Sequence, residues 1–413
     1  MNQPVSTDLG VTRRTLVGGS VALTTLVASG ALTGAADAAP KRVPRVAVLS
    51  ETVTGRPAVK RRADAVAAGL AIGLGVRHPR ILRAEASTST EELTAAVKGL
   101  AGQGAQVLVA AFSTPTAARL ANICADHQLA LVVANAGAHV VDERTTAAAP
   151  AALHVSTQHW AAAMSAGGWA RRTYGRRMHI VVAAPDAGYD SVYALQRGFA
   201  VAGGRVVGTT LTHGATGLEG LVTEVRATQP DVVGVCATGT RAAEILRALR
   251  AANLKLPVIL DPLSMESGTL SALGGQARGL HLVAARIDPE RHRTLARALR
   301  SRGQGAVDAY SILGYDTGLL ITAGARRLGS RTWAKLPAVL AGRSVAGVRG
   351  IQKVHPRLGT VSVPLAVYKV KRVDGTSKLK AIASRPRIAG DRATATVLRG
   401  RTASGYVNEY LTI

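Results

Sequence analysis

Aromatic residues are scarce in this chain, because phenylalanine, tyrosine and tryptophan together supply only 3% of its 413 residues. Proteins that hold single-stranded nucleic acid stack its bases on aromatic rings, so this composition argues against such a role. Hydrophobic residues still reach 47%, which excludes a disordered chain and requires cores built from Ala, Val and Leu. The length is sufficient for two domains with full cores.

Cysteine is equally rare, since the chain contains only Cys124 and Cys236. Two cysteines are too few for a disulfide framework, and each lies in an apolar stretch. We expect two buried free thiols. A disulfide bridge between Cys124 and Cys236 is the alternative in an exported protein, and it would have to join two different lobes of the fold.

Recognisable catalytic and metal-binding motifs are missing too. The chain contains no G-x-S-x-G, H-E-x-x-H, P-loop or G-x-G-x-x-G motif. His139, His154 and His159 match no standard zinc pattern and have no cysteine nearby. We therefore expect no metal, no cofactor and no enzymatic activity.

Acidic residues are few as well: 25 Asp and Glu stand against 51 Lys and Arg, which gives a formal net charge of +26. Basic residues crowd the segments Arg278–Arg357 and Lys369–Arg401. The excess is typical of a solvated basic surface, and it also fits attraction to an anionic wall, a membrane surface or an acidic ligand. Because no basic run is interleaved with aromatic residues, we expect no nucleic acid partner.

Residues 1–38 have the pattern of a twin-arginine signal peptide. Arg13 and Arg14 precede an apolar Gly- and Ala-rich stretch, Val17–Leu32, and Ala36-Asp37-Ala38 fits a small-x-small cleavage site. The stretch is too short and too weakly apolar for a spanning helix, which needs about 20 strongly apolar residues. No cysteine sits at the cleavage point. We predict export by the twin-arginine route, periplasmic or secreted, without a lipid anchor.

The stretch Val107–Ala138 predicts one strand–loop–helix–strand–loop unit. Its two strands are short and wholly apolar, which is typical of a parallel sheet buried on both faces. The strands end in small polar loops, at Ser113-Thr114 and at Asn135 to Ala138. In open α/β sheets ligands bind outside the carboxyl ends of strands, and the helix after Thr114 offers unpartnered N–H groups to an anion. We expect a cleft over these two loops.

Strands and helices alternate on both sides of this stretch. The alternation runs from Arg45 to Gly102, and it restarts at Met178 and continues to Ala284. This order predicts two doubly wound α/β domains of similar build. Helices are predicted over 289–340, and short alternating segments after them are typical of antiparallel strands.

Several segments resemble the leucine/isoleucine/valine-binding family of ABC-transporter substrate-binding proteins, which have the type I periplasmic-binding fold. The similarity runs from about Val43 to Lys371. It rests on short motifs in the family's order, namely Val46–Leu49 with Thr54-Gly55, Ser113-Thr114, Asn135–Ala138, Tyr189-Asp190, Pro230–Val233, Glu244–Arg247, Gly314–Asp316 and Val348–Gly350.

The resemblance implies two lobes joined by three hinge crossings, near 154–157, 284–286 and 347–352. It assigns 43–155 plus 286–348 to an N-terminal lobe and 156–285 plus 349–377 to a C-terminal lobe, and it leaves 378–413 as a basic extension. Such proteins bind a small polar solute between the lobes, which close over it, and deliver it to a membrane permease. We expect a monomer that binds an amino acid, amide or carboxylate.

The resemblance also implies which residues contact the solute. The two loops of the N-terminal lobe would hold a carboxylate, here through Ser113, Thr114, Asn135, Ala136 and Ala138. In the C-terminal lobe, an aromatic residue at a turn would stack on the solute, here Tyr189. The loop after strand 231–235 would add a contact near Thr238.

One departure from the family concerns the solute's ammonium group. The family's acidic residue should follow Pro262, but Leu263 stands there, and neither Asp261 nor Glu266 is in register. A buried ammonium needs a carboxylate partner, so a solute without a cation is favoured, and Asp261 is kept as a candidate contact. Two other readings stay open: an exported α/β enzyme that uses the same cleft, and a basic surface protein that binds anionic envelope polymers.

Overall fold

Two mainly parallel sheets, each covered by helices on both faces, organise the part of the chain that the structure describes. The computed structural model describes residues 43–52, 57–75, 81–137, 150–183, 189–212, 218, 220–237, 239–262, 270, 272–329, 331–373 and 376–388. All of them fall in one compact unit. Within them, no helix combines the length and the apolar character that crossing a membrane would require.

The N-terminal lobe is built on five parallel strands in the order β2-β1-β3-β4-β5. The strands are β1 Val46–Glu51, β2 Leu82–Ala86, β3 Val107–Ala111, β4 Ala130–Asn135 and β5 Ala152–Ser156. Three helices follow the first strands, α1 Pro57–Gly73, α2 Thr90–Gly102 and α3 Thr114–Asp126. Every residue of β3 and β4 is buried, because this sheet carries a hydrophobic core on each face.

The C-terminal lobe is built on a seven-stranded sheet in the order β15-β14-β10-β9-β8-β6-β7. Its strands are β6 Arg177–Ala183, β7 Arg205–Thr212, β8 Val232–Cys236, β9 Val258–Leu260, β10 His281–Ala285, β14 Leu365–Val373 and β15 Thr376–Arg385. Its helices are α4 His159–Thr173, α5 Tyr189–Val201, α6 Leu221–Ala227 and α7 Gly239–Ala251. Strand β14 runs antiparallel to both of its neighbours, β10 and β15.

The chain then returns to the N-terminal lobe. Three helices and a small antiparallel sheet, β11-β12-β13, lie there. They are α8 Pro289–Ser301, α9 Ala309–Leu328, α10 Leu336–Leu340, β11 Ser344–Gly347, β12 Gly350–Val354 and β13 Val361–Ser362. These elements confirm the predicted α/β class with two sheets and helices on both faces.

The third crossing lies later than the resemblance implied. Residues 349–377 were assigned to the C-terminal lobe with a crossing at 347–352, but β12 and β13 bury Val354 and Val361 in the N-terminal core. The chain enters the second sheet only at Leu365. Residues 378–385, expected to begin a separate extension, belong to the edge strand of that sheet, Thr376–Arg385.

Glycines allow two helix pairs to approach at backbone distance. Gly69 and Gly73 of α1 face Gly314 and Gly318 of α9, and a Cβ on any of the four would overlap backbone atoms of the other helix. Gly167 of α4 meets α5 in the same way. Small residues four apart produce such a stripe, so the glycines fix how closely these helices pack.

Both cysteines are free and buried, as the sequence predicted. Burial raises the pKa of Cys124 to about 12 and also raises that of Cys236. A thiol reacts as its thiolate, so both groups are unreactive near neutral pH.

Buried histidines are expected to make the stability of the protein depend on pH. Burial lowers the pKa of His154 on β5 to about 4. Burial and the charge of Lys369 lower the pKa of His281 to about 4, and burial lowers the pKa of His179. Below about pH 6.5 these histidines become protonated in the unfolded chain but stay neutral in the folded protein. Acidification therefore destabilises the fold until the pH reaches the pKa of the folded state. We expect the free energy of unfolding to fall between pH 7 and pH 5.

Denaturant titrations at both pH values measure this fall. His281 contributes at most roughly 2 kcal/mol at pH 5, reduced by any solvent screening. His281→Gln keeps a polar partner for Tyr174, whose hydroxyl lies 3.2 Å from Nδ1 of His281. In this variant the free energy of unfolding should change less between pH 7 and pH 5. An unchanged difference would show that His281 does not contribute to the pH dependence.

Candidate functional site

Asn135 holds together the two loops that follow β3 and β4. Its Nδ2 donates to the carbonyl oxygen of Phe112 at 3.0 Å, and its Oδ1 accepts the N–H of Gly137 at 2.9 Å. Gly137 adopts φ 70°, and a Cβ there would overlap the side chain of Ser156. The amide of Asn135 therefore positions the two loops, and its role as a solute contact stays a prediction.

Ser113 stands at the carboxyl end of β3 and immediately before α3. Its side chain makes no capping bond to the helix, and instead Oγ lies 3.2 Å from Oγ1 of Thr116. The helix is 13 residues long, and the first N–H groups of a helix have no intrahelical acceptor. Ser113 thus places a hydroxyl beside a helix N-terminus, an arrangement that favours anions. The side chain of Thr114 lies outside the described part.

The first turn of α4 contacts the β4 loop directly. The N–H groups of His159 and Trp160 donate to the carbonyl oxygens of Ala136 and Gly137, each at 3.0 Å. Gln158, the residue before the helix, has φ 66°. This unusual backbone turns the chain from β5 into α4, so the predicted crossing near 154–157 also brings the loops of one lobe against a helix of the other.

His159 forms a buried pair with Asp261, the residue that follows β9. Nε2 of His159 lies 3.2 Å from Oδ2 of Asp261, and the side chains are 2% and 4% exposed. The sequence offered His159 only as a poor metal ligand and did not indicate this pair. The signal that could have found it is position, because Asp261 directly follows β9 and His159 lies three residues after the end of β5.

Two further polar atoms lie in the same turn of α4. Nδ1 of His159 and Nε1 of Trp160 are buried and have no hydrogen-bond partner among the described residues. A buried polar atom normally finds a partner, so these two atoms mark places where a ligand, a water molecule or a neighbouring loop would bind.

A second buried ion pair lies under the first crossing. Nε of Arg349 donates to Oδ2 of Asp316 at 2.7 Å, and NH1 donates to the carbonyl oxygen of Ser156. Oδ1 of Asp316 also accepts the N–H of Val348 at 2.7 Å. The pair joins α9, the turn between β11 and β12, and the end of β5, so it holds the crossing in place.

The remaining candidates cannot be compared with this geometry. Tyr189 is the first residue of α5, but its side chain lies outside the described part. Ala138, Thr238, Leu263 and Glu266 also lie outside the described residues. Among the described residues, no three His, Cys, Asp or Glu side chains are grouped to hold a metal ion.

The sequence matches one protein-family model over most of its length. Residues 53–377 fit the model described as periplasmic binding protein. The chain belongs to the periplasmic binding protein family. This assignment agrees with the two sheets and the crossings between them, which form the type I fold of that family. No curated protein matched the chain.

Solved structures support the fold at low sequence identity. A solute-binding protein of an ABC transporter from Rhodopseudomonas palustris BisB5, in complex with 3,4-dihydroxybenzoic acid, is 16% identical with a TM-score of 0.67, covering 84% of this chain and 98% of its own. An ABC transporter substrate-binding protein from Sphaerobacter thermophilus is 20% identical with a TM-score of 0.67, covering 84% and 97%. A branched-chain amino acid transporter structure from Rhodopseudomonas palustris CGA009 is 14% identical with a TM-score of 0.62, covering 82% and 96%.

Proposed function

We propose that the chain is the extracytoplasmic solute-binding protein of an ABC-type transporter and that its solute is a small carboxylate without an ammonium group. The family match supports capture of a solute, and the relatives of this fold include proteins whose printed names describe ABC transporters. The solute would lie over the carboxyl ends of the strands, where Ser113, Asn135 and Asp261 stand. Export by the twin-arginine route remains part of the proposal.

The state of Asp261 carries the argument against an ammonium. Its carboxylate is buried against the imidazole of His159, so it is not presented alone to a cation. The nearby polar groups favour an acceptor instead. The N–H of an indole can only donate, and Nε1 of Trp160 is buried without an acceptor among the described residues.

The N-terminal lobe offers complementary donors. The hydroxyl of Ser113 and the start of α3 suit one oxygen atom of a carboxylate, and hydrogen bonds to a charged acceptor contribute about 1.5–3 kcal/mol. Solved relatives with the same fold were crystallised with benzoate and with hydroxylated benzoates. These ligands have a carboxylate and no cation, so aromatic carboxylates are the first compounds to test.

A melting-temperature screen with the purified protein tests the proposal. Benzoate, 4-hydroxybenzoate and 3,4-dihydroxybenzoate are compared with benzamide and with leucine, isoleucine and valine. A solute at about 100 times its Kd adds about 2.7 kcal/mol, which raises Tm by several degrees. We expect a shift with one or more carboxylates and none with benzamide. A shift with the amino acids alone would overturn the proposed solute class.

Calorimetric titration of Ser113→Ala then locates the site. We expect a Kd for the best carboxylate about tenfold or more above that of the unchanged protein. Ser301→Ala is the matched control, because that hydroxyl bonds only the carbonyl oxygen of Ala298 among the described residues, at the end of α8. Equal affinity of the two variants for the carboxylate would show that the loop after β3 does not contact it. Loss of solute uptake by cells that lack the protein tests the transport role.

A further inference from the structure

The last two strands carry four lysines on one face. In the antiparallel register of β14 with β15, Lys369 lies opposite Lys380 and Lys371 lies opposite Lys378. Directly opposed residues project to the same face, and so do residues two apart on one strand. The set formed by Lys369, Lys371, Lys378 and Lys380 is called the lysine face below.

Other cations surround the lysine face. Arg385 lies on the same side of β15, and its Nε donates to Oγ of Ser165 on α4 at 3.2 Å. Burial and the charge of Arg172 lower the pKa of Arg385. Residues 365–388 contain seven basic side chains and one acidic side chain, Asp374. The positive charge is therefore concentrated in this segment.

Protection of an exposed edge does not explain this arrangement. Lysines on an edge strand discourage pairing with another chain, and β15 is such a strand. Lys369, however, is on β14 where that strand is paired on both sides, with His281 of β10 and with Lys380 of β15. Like charges placed directly opposite one another destabilise a sheet. The two opposed pairs cost stability and so indicate a role that offsets the cost.

We propose that the lysine face binds a linear anionic polymer whose phosphate groups repeat along its chain. The Cα atoms of lysines two residues apart on one strand are about 7 Å from each other, and the Cα atoms of opposed lysines are about 5 Å apart. A flexible polyphosphate chain lying along the hairpin would meet both rows of ammonium groups at once. Lys371, Lys378 and Lys380 are exposed and therefore accessible to such a chain.

Apolar anchors for a lipid surface are poorly placed. Leu379 is 40% exposed, but it lies opposite the buried Val370 and thus on the other face of the hairpin. Val373 and Ile382, 40% and 44% exposed, are single apolar side chains at the two ends of the row of lysines and do not form a patch. Stable membrane attachment needs a stronger combination of apolar and basic groups, so a polymer fits better than a membrane.

The lysine face and the solute site are at opposite ends of the second sheet. Lys369 lies opposite His281 at the start of β10, whereas the solute site belongs to the carboxyl ends of the strands. Binding of a polymer should therefore leave the affinity for a solute unchanged. This separation lets the two proposals fail independently.

Binding of fluorescent long-chain inorganic polyphosphate to the full chain tests the proposal. Lys371→Gln/Lys378→Gln/Lys380→Gln is compared with Arg293→Gln/Arg297→Gln/Arg300→Gln, which removes three exposed charges from one face of α8. Both variants lose the same net charge. We expect the lysine variant to raise Kd about tenfold or more and the arginine variant to raise it less than threefold. Neither variant should lower Tm, and the lysine variant should raise it slightly, because it removes like charges that lie opposite one another.

Three results would overturn the proposal. An equal rise of Kd in both variants would show that net charge alone attracts the polymer. If the unchanged protein does not bind polyphosphate, this polymer is not its partner. Binding to vesicles of phosphatidylcholine with phosphatidylglycerol, but not to polyphosphate, would assign the face to a membrane. For the unchanged protein we expect a steep loss of polyphosphate affinity between about 50 and about 200 mM salt, because released counterions drive such binding.

Discussion

Gly314→Ala is expected to lower the free energy of unfolding by about 3 kcal/mol or more, although alanine is the better helix former. A Cβ at this position would overlap the carbonyl oxygen of Val66 on α1. Backbone atoms cannot rotate aside as a side chain can, so the two helices would have to separate. Separation would also disturb the neighbouring contact between Gly318 and Gly73 and open the core of the N-terminal lobe.

Gly99→Ala is the matched control and should have the opposite sign. Gly99 is also inside a helix, α2, and a Cβ there would have nothing within 4 Å. Without a collision the helix preference of alanine remains, so we expect a gain of up to about 1 kcal/mol. Urea denaturation of both variants measures the difference. A Gly314→Ala variant as stable as the unchanged protein would show that α1 and α9 do not pack at this distance.

Asp316→Ala is expected to cost about 3–5 kcal/mol, because it leaves the guanidinium of Arg349 buried without its anion. The Asp316 side chain is fully buried and that of Arg349 is 3% exposed. The substitution also removes the acceptor of the N–H of Val348. For a protein of ordinary stability this loss is a large part of the total, so thermal unfolding should begin many degrees lower.

Two comparison variants distinguish the burial of this pair from charge removal in general. Asp64→Ala removes an acid from a surface pair with Arg83 whose side chains are about half exposed, and it should cost no more than about 1 kcal/mol. Asp316→Leu combined with Arg349→Met removes both charges and should recover part of the loss. Equal effects of Asp316→Ala and Asp64→Ala would contradict the burial argument.

The sequence predicted the repeating part of the fold well. Strand Val107–Ala111 was predicted with its observed bounds, because short apolar runs with polar loops are a local signal. The predicted helix that follows it began at Thr116, and α3 begins at Thr114. The loops at Ser113 and Asn135 follow from the same pattern, since a parallel sheet brings carboxyl ends together.

The parts that failed depend on distant contacts. The alternating residues of β12 and β13 give no indication of the lobe on which they pack, and only the burial of Val354 and Val361 decides it. β15 is exposed and rich in lysine, so it lacks an apolar period, and pairing with β14 defines it. His159 and Asp261 are about a hundred positions apart in the sequence, and no local pattern links them.

If the lobes close over a solute as the resemblance implies, the two bonds from α4 to the loop after β4 set the place where their movement is smallest. The N–H groups of His159 and Trp160 attach the backbone at Ala136 and Gly137 to the helix that begins the C-terminal lobe. A rotation that keeps both bonds must have its axis near this point. Atoms of the β4 loop are then close to the rotation axis and move little, whereas atoms in more distant walls of the cleft move farther. Solute contacts near Ala136 would be formed before closure, and contacts farther from the axis would form as the cleft closes.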